Sequence, residues 1–197
     1  MKAAQILVVA VAAAIAVYFA VNLAGDTGKQ VGQFAGTSSI VLDKRGDAVA
    51  QMQYQSDVEP EVKAYHDIVA ASVKKIDGAF LFTIDLAGDP NMNEKYETNY
   101  VWHIISDKTY TVLMPNFAAD SGFASKGWYL AVYDNTDSKY VLEMTKISDM
   151  PQDRVQFPVD AQLIGNPASF SYWVSVHVRT DSKNLEKPPD YLMDFAP

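Results

Sequence analysis

The feature that most constrains the fold is a strict alternation of apolar side chains in the segment "GAFLFTIDL". Large apolar residues recur there at every second position: Phe80, Phe82, Ile84 and Leu86. This period of two predicts a β-strand with one well-buried face, since a helix repeats every 3.6 residues. The run "DIVAASVKK" precedes it, and Asp77-Gly78 between the two runs is a hairpin turn signal. The two runs are therefore predicted to form an antiparallel hairpin.

Similar short runs continue along the chain. Six further strands are predicted, and "SIVLD" is a candidate for a ninth: "NYVWHIIS", "TYTVLMP", "GWYLAVYD", "KYVLEMTK", "AQLIG" and "FSYWVSVHVR". Turn-forming stretches separate them, and no amphipathic helix lies between them. This spacing predicts an all-β fold, an antiparallel β-sandwich of the jelly-roll or immunoglobulin-like kind, formed by residues 38–197 as one domain.

The N-terminus has the pattern of a membrane-targeting segment. Lys2 precedes sixteen apolar residues, Ile6 to Val21, and as a helix the segment would reach roughly 30 Å, about the hydrocarbon thickness of a bilayer. Three interpretations of residues 1–25 remain open: an uncleaved signal anchor, a cleaved signal peptide, and a pilin-like processed helix. Each would export the rest of the chain. We expect a single-pass membrane protein with an extracytoplasmic C-terminal domain, or a secreted domain if the segment is cleaved.

Residues 26–37 contain three glycines, Gly28, Gly32 and Gly36, and follow a fourth, Gly25, so we expect a flexible tether there. The chain has a formal net charge of −8, which makes nucleic acid an unlikely class of partner. It has no cysteine, so it contains no disulfide, thiolate metal site or cysteine nucleophile.

Four aspartates are candidate metal ligands: Asp43, Asp47, Asp67 and Asp194. Calcium takes six to eight oxygen ligands, several of them carboxylates in a loop flexible enough to wrap the ion. A calcium ion at these residues would tie the N-terminal part of the domain to the sandwich. The other interpretation is that Asp43 and Asp47 form turns and accept hydrogen bonds from backbone amides.

Aromatic side chains provide candidate ligand-binding residues. Alternation on two strands directs Tyr129, Tyr133 and Trp173 away from the face that carries the large apolar residues. Exposed aromatic rings on a sheet can stack on a sugar or pack on a protein, although they can also cover a second layer of core. The histidines His103 and His177 are likewise predicted to point outward without a metal.

The order of several motifs resembles the secreted β-sandwich superfamily that includes family-9 carbohydrate-binding modules and DOMON-type domains. The motifs are "LDKRGDA", "YHDI", Asp77-Gly78 followed by "FLFTIDLAGDP", "YVW", "FSYWVSVHV" and the terminal "DFAP". The resemblance implies a non-catalytic binding domain with a structural calcium ion near the acidic loop. No pair of haem ligands and no tryptophan sugar clamp is identified in the chain.

Together these observations predict a membrane-anchored binding domain of the cell surface that recognises a glycan or an envelope protein. The alternative is a structural or accessory subunit of a membrane complex or surface filament, with the N-terminal helix packed on partner helices through the small residues of "VVAVAAAIA". An enzyme is not expected, since no Gly-x-Ser-x-Gly, His-Glu-x-x-His or phosphate-binding loop is present.

Overall fold

A computed structural model describes residues 31–120, 124–181 and 189–196. Its elements in these residues are twelve strands and three short 3-10 helices. The strands are β1 (Gly32–Ala35), β2 (Ser38–Leu42), β3 (Gln51–Met52), β4 (Ile68–Ile76), β5 (Ala79–Leu86), β6 (Glu97–Ile105), β7 (Thr109–Phe117), β8 (Gly127–Asp134), β9 (Lys139–Lys146), β10 (Arg154–Asp160), β11 (Ser169–Arg179) and β12 (Tyr191–Ala196). The 3-10 helices are Ala64–His66, Pro90–Met92 and Ala161–Ile164.

The strands form two sheets. The large sheet has eight strands in the order β3-β12-β11-β6-β7-β8-β9, with β1 pairing along the first half of β11. The small sheet has four strands in the order β10-β5-β4-β2. Every strand pair in the described residues is antiparallel. The all-β class and the two-sheet architecture predicted from the alternation are confirmed.

The core lies between the two sheets and is rich in aromatic rings. Phe82 of β5 meets Trp102 of β6 edge-on, with ring centroids 4.9 Å apart, and Phe80 of β5 meets Phe170 of β11 edge-on at 5.3 Å. All four side chains are buried. Offset and edge-to-face aromatic pairs contribute roughly 0.5–1.5 kcal/mol beyond the area that they bury, so these contacts help to join the sheets.

The predicted hairpin is present. The strands β4 and β5 pair from Ile76 and Ala79 outward, and Gly78 has a φ of +72°, a conformation that glycine adopts without steric cost. The candidate ninth strand is also confirmed, as β2.

The strand predicted at "AQLIG" is wrong. Ala161–Ile164 is a 3-10 helix whose first turn is capped by Asp160, because the Asp160 carboxylate accepts a hydrogen bond from the Gln162 backbone N–H at 2.9 Å. The strand lies immediately before it, in β10, which contains Pro158. Proline cannot donate to a ladder, but among the described strands β10 is at the edge of its sheet and pairs only with β5, so an unpaired side is available.

The predicted tether at 26–37 is also wrong over part of its length. Gly32–Ala35 forms β1, which pairs with β11, and Phe34 is 1% exposed in the core. The ordered sandwich therefore begins before Ser38. Residues 1–25 lie outside the described residues. Within the three described ranges, no helix has both the length and the apolar character needed to cross a bilayer.

Candidate metal centre

The acidic loop follows β2 and connects both sheets. The Asp43 backbone N–H donates to Val69 of β4, in the small sheet, at 2.9 Å. Six residues later, the Val49 N–H donates to the Met193 carbonyl of β12, in the large sheet, at 2.9 Å. Between them, Gly46 has a φ of +83°, the left-handed conformation that glycine tolerates and that the turn requires. The loop is therefore fixed by its backbone to two distant parts of the chain.

Three of the four predicted aspartates converge. One carboxylate oxygen from each of Asp43, Asp47 and Asp194 lies within 4.8 Å of the other two. Asp43 is half-buried, Asp47 is exposed and Asp194 is 9% exposed. This geometry lets three carboxylates share one cation while water reaches it from the side of Asp47. All of the donors are oxygens, which favours a hard cation such as Ca²⁺ over zinc or copper.

Asp67 does not belong to this cluster. Its two carboxylate oxygens accept hydrogen bonds from the Gly46 backbone N–H at 3.0 and 2.8 Å. Asp67 is 6% exposed, so this contact replaces the water that its carboxylate loses on burial. The structure therefore brings three of the four predicted ligands together, and the Asp67 carboxylate holds the turn at Gly46.

Asp194 carries an electrostatic cost in the cluster. Burial raises its pKa to about 7, and the charges of Asp43 and Asp47 add to the rise. Two hydrogen bonds to its carboxylate act in the opposite direction: the Ile68 N–H donates at 2.6 Å and the Phe195 N–H at 2.8 Å. Three carboxylates at this separation repel one another when ionised, and a bound cation would relieve that repulsion.

The aromatic candidates lie on the predicted face but are not exposed. Tyr133 and Trp173 are 1% and 5% exposed and belong to an apolar cluster on the face of the large sheet that points away from the core. Tyr129 is 9% exposed, and its hydroxyl donates to the Ser125 carbonyl at 3.1 Å. The prediction of an exposed aromatic platform at these residues is wrong, because the face that alternation identified is itself buried.

The same correction applies to two histidines. His103 and His177 lie on this outer face, as predicted, but are 2% and 4% exposed. Their Nε2 atoms lie 3.3 and 2.9 Å from the Ser175 hydroxyl between them. Trp173 stacks on His103 with ring centroids 4.8 Å apart. Burial lowers the pKa of His177 to about 3 and holds that of His103 well below 6.5, so both rings are neutral at pH 7.

Sequence reasoning missed a cleft beside β6. It is lined by residues from the two turns "KAYHD" and "NMNEKYET", including Tyr65, His66, Asn93, Tyr96 and Thr98. The available signal was the density of tyrosine, histidine and asparagine in two turns with neither strand nor helix periodicity. Nothing in the sequence, however, indicates that these two turns meet.

Comparison of the chain with protein-family models, with curated proteins and with solved structures found no match in any of the three.

Proposed function

We propose that this protein is an exported, non-catalytic binding domain of the cell surface whose fold is stabilised by calcium. In this proposal the N-terminal apolar segment holds the domain at the outer side of a membrane, or is removed so that the domain is secreted. The domain recognises a glycan or a protein of the cell envelope. The sandwich has the jelly-roll or immunoglobulin-like arrangement typical of such modules, as the resemblance to carbohydrate-binding and DOMON-type domains implies.

The observation that carries the proposal is the convergence of Asp43, Asp47 and Asp194. These residues are separated by up to 151 positions in the chain, yet one oxygen of each lies within 4.8 Å of the others. Carboxylates repel one another, so their approach favours a bound cation that offsets the repulsion. Backbone carbonyls and water would complete the six to eight ligands that calcium takes.

The position of the cluster indicates what the ion would do. Asp43 and Asp47 belong to the loop after β2, near the start of the domain, whereas Asp194 lies on β12 at its end. A shared ion would join the N-terminal loop to the last strand and would be lost when either unfolds. A ligand that binds only the native state stabilises it by mass action.

The alternative function, a structural or accessory subunit that packs its N-terminal helix on partner helices, stays a prediction. Its evidence is the small-residue pattern of "VVAVAAAIA", which lies outside the described residues.

The test is thermal unfolding of the full chain in detergent, in excess calcium and in excess chelator. Saturating calcium at about 100 times its Kd is worth about 2.7 kcal/mol, and we expect a rise in Tm of roughly 5–10 °C. Asp47→Asn should abolish the rise because it removes one ligand oxygen charge at an exposed position. Asp57→Asn is the matched control, since Asp57 is also exposed and lies outside the cluster.

Asp194→Asn sharpens this test. It should raise the stability of the calcium-free protein, because it removes the most buried of three repelling charges, and it should eliminate the response to calcium. An unchanged Tm across millimolar calcium in the parent protein would refute the calcium site and leave the aspartates as turn-forming residues.

A further inference from the structure

The cleft beside β6 has the dimensions of a binding site. Its volume is about 390 Å³, within the range of roughly 300–1,000 Å³ that is usual for ligand pockets. It lies where the 3-10 helix Ala64–His66 and the turn after the 3-10 helix Pro90–Met92 meet the start of β6. Its lining shares no residue with the acidic cluster of Asp43, Asp47 and Asp194.

The first helix is held tightly in place. A Cβ atom at Gly88 would lie 2.7 Å from the Cβ of Ala64, so the close approach requires glycine. The Tyr100 hydroxyl donates to the Tyr65 carbonyl at 2.9 Å from the core side. The wall of the cleft is therefore formed in advance and does not have to be ordered by a ligand.

Three buried polar side chains line the cleft and keep hydrogen-bonding capacity. Thr98 is 0% exposed, and its hydroxyl has no hydrogen-bond partner within the described part of the chain. His66 Nδ1 accepts from the Lys63 N–H at 3.1 Å, which places the proton of the neutral ring on Nε2 as a donor. The Asn93 amide nitrogen donates to two carbonyls, of Tyr96 and Asn116, which leaves its Oδ1 as an acceptor.

These three groups are uncharged and complementary to an amide. An Asn or Gln side chain offers a carbonyl that accepts from the His66 Nε2–H and an NH₂ that donates to Asn93 Oδ1, while the Thr98 hydroxyl can do either. Neither an acidic nor a basic side chain is among these buried groups to pair with a charged ligand, and burial of an unpaired charge is costly.

The residues around these three polar groups have the composition of a protein interface. Tyr65 and Tyr96 are half-buried in the lining, Met92 is 60% exposed, and Val62, between two lining residues, is 39% exposed. Tyrosine and methionine are enriched at protein interfaces, where an apolar centre is surrounded by a polar rim.

The charged residues of the lining supply that rim in equal numbers of acids and bases. Lys63 pairs with Glu61 at 2.6 Å, Lys95 lies over the Tyr96 ring at 4.8 Å, and Glu94 is the remaining charge. All four are exposed. Because they sum to zero, they do not select a ligand by its net charge.

We propose that this cleft receives an uncharged amide side chain, asparagine or glutamine, of a partner protein in the cell envelope. The inference rests on the proposed function and identifies, by its chemistry, the part of the partner that is bound. It differs from the predicted aromatic platform, whose residues lie elsewhere in the fold.

The test uses the full chain in detergent and three small probes: N-acetylglutamine methylamide, its glutamate analogue and its leucine analogue. Binding is followed by nuclear magnetic resonance through the backbone amide of Thr98 and the side-chain amide of Asn93. We expect saturable shifts with the glutamine probe and at least tenfold weaker binding of the other two. Equal binding of all three, or no binding of the glutamine probe, would overturn the proposal.

Thr98→Val is the decisive variant. It keeps the shape of the side chain and removes a buried hydroxyl without a partner, so Tm should stay the same or rise by about 2–4 °C while affinity for the glutamine probe falls at least tenfold. The matched control is Thr83→Val. The Thr83 hydroxyl accepts from Gln156 Nε2 at 3.0 Å, so this change should lower Tm and leave probe affinity unchanged. Parent-like affinity in Thr98→Val would refute the assignment.

Three outcomes separate this inference from the proposed function. Failure of the glutamine probe in a protein that still responds to calcium overturns the cleft assignment alone. A methyl glycoside that binds the cleft more tightly than the glutamine probe overturns the amide assignment and favours the glycan arm of the proposed function. Probe binding without a calcium response refutes the calcium site and leaves the cleft assignment standing.

Discussion

The two sheets bury their faces differently. The small sheet has one face in the core and one in solvent, so that Ile40 and Leu42 of β2 are 62% and 75% exposed. In the large sheet, β6 is buried at every position except Ile105, and β7 and β8 are buried at every position after the first. The comparison shows that alternation reports the direction of a side chain and does not by itself report its exposure.

The outer face of the large sheet is also chemically mixed, which explains why it looks like a solvent face in the sequence. Val101 and Leu113 belong to its apolar cluster, while Ser175, His103 and His177 hydrogen-bond beside them. Buried polar groups are tolerated where they are paired. A polar residue at every second position of a strand therefore predicts which face points away from the core, but it does not predict that this face is exposed to solvent.

The largest expected effect is a difference in stability between two variants, each of which places a carboxylate on the outer face of one sheet. Val101 is 0% exposed, so Val101→Asp buries a carboxylate and should destabilise the protein by about 4 kcal/mol or more. Ile40→Asp places the same charge on the exposed face of the small sheet and should change stability by no more than about 0.5 kcal/mol. Urea denaturation of both variants measures the difference.

If Val101→Asp does not fold, Val101→Thr and Ile40→Thr make the same comparison with a smaller change. Threonine has nearly the shape of valine, and at Ile40 the lost methyl group is exposed, so only Val101→Thr should reduce stability measurably, because only there does the hydroxyl lose contact with water. Equal stability of the two aspartate variants would show that the outer face of the large sheet is open in solution.

Most of the fold was predictable because strands and hairpins are local. Alternation and the Asp77-Gly78 turn identified the central strands, whose side chains need to satisfy only a two-residue period. The predictions of secondary structure were wrong where a contact with a distant part of the chain determines the local structure. The stretch containing Phe34 pairs as a strand because β11 offers a free edge, and β10 accepts Pro158 because it is itself an edge.

The candidate site was predictable in its residue types but only partly in its geometry. Asp43 and Asp47 are close in sequence, but their approach to Asp194 depends on β12 pairing beside β11. Asp67 looked equivalent and is used for a hydrogen bond to Gly46 instead. Which carboxylate faces a common point depends on the fold, and sequence spacing does not contain that information.

An intermediate loss of stability is expected at acidic pH, because the large sheet contains buried neutral histidines. The folded pKa of His177 is about 3, whereas an unfolded histidine titrates near 6.5, so the unfolded state takes up the proton first. The contribution of His177 to stability is complete above pH 6.5 and is lost as the pH falls from there toward 3. Between pH 6.5 and 5 the loss should be roughly 2 kcal/mol for each such histidine.

The measurement is the free energy of unfolding from pH 8 to 5 in the parent and in His177→Gln, which should have a shallower slope. Asp194 acts in the opposite direction, because its raised pKa of about 7 lets the folded state gain a proton as pH falls. Both proteins should therefore carry Asp194→Asn. His66, with a pKa of about 4, adds the same slope to each. Identical profiles would argue that His177 is hydrated in solution.

The smallest expected effect concerns one of the polar contacts that link the two sheets. Ser39 lies on β2 of the small sheet, and its hydroxyl donates to the Gln33 carbonyl of β1 at 2.6 Å and lies 3.0 Å from the Tyr172 hydroxyl of β11. Ser39→Ala should cost about 1 kcal/mol, the usual net value of a hydrogen bond, and should lower Tm by about 2–4 °C. Ser38→Ala is the neighbouring control, since Ser38 is exposed. If Ser39→Ala and Ser38→Ala melt alike, the Ser39 hydroxyl contributes nothing to the joining of the sheets, and at this edge they are held together by their apolar contacts.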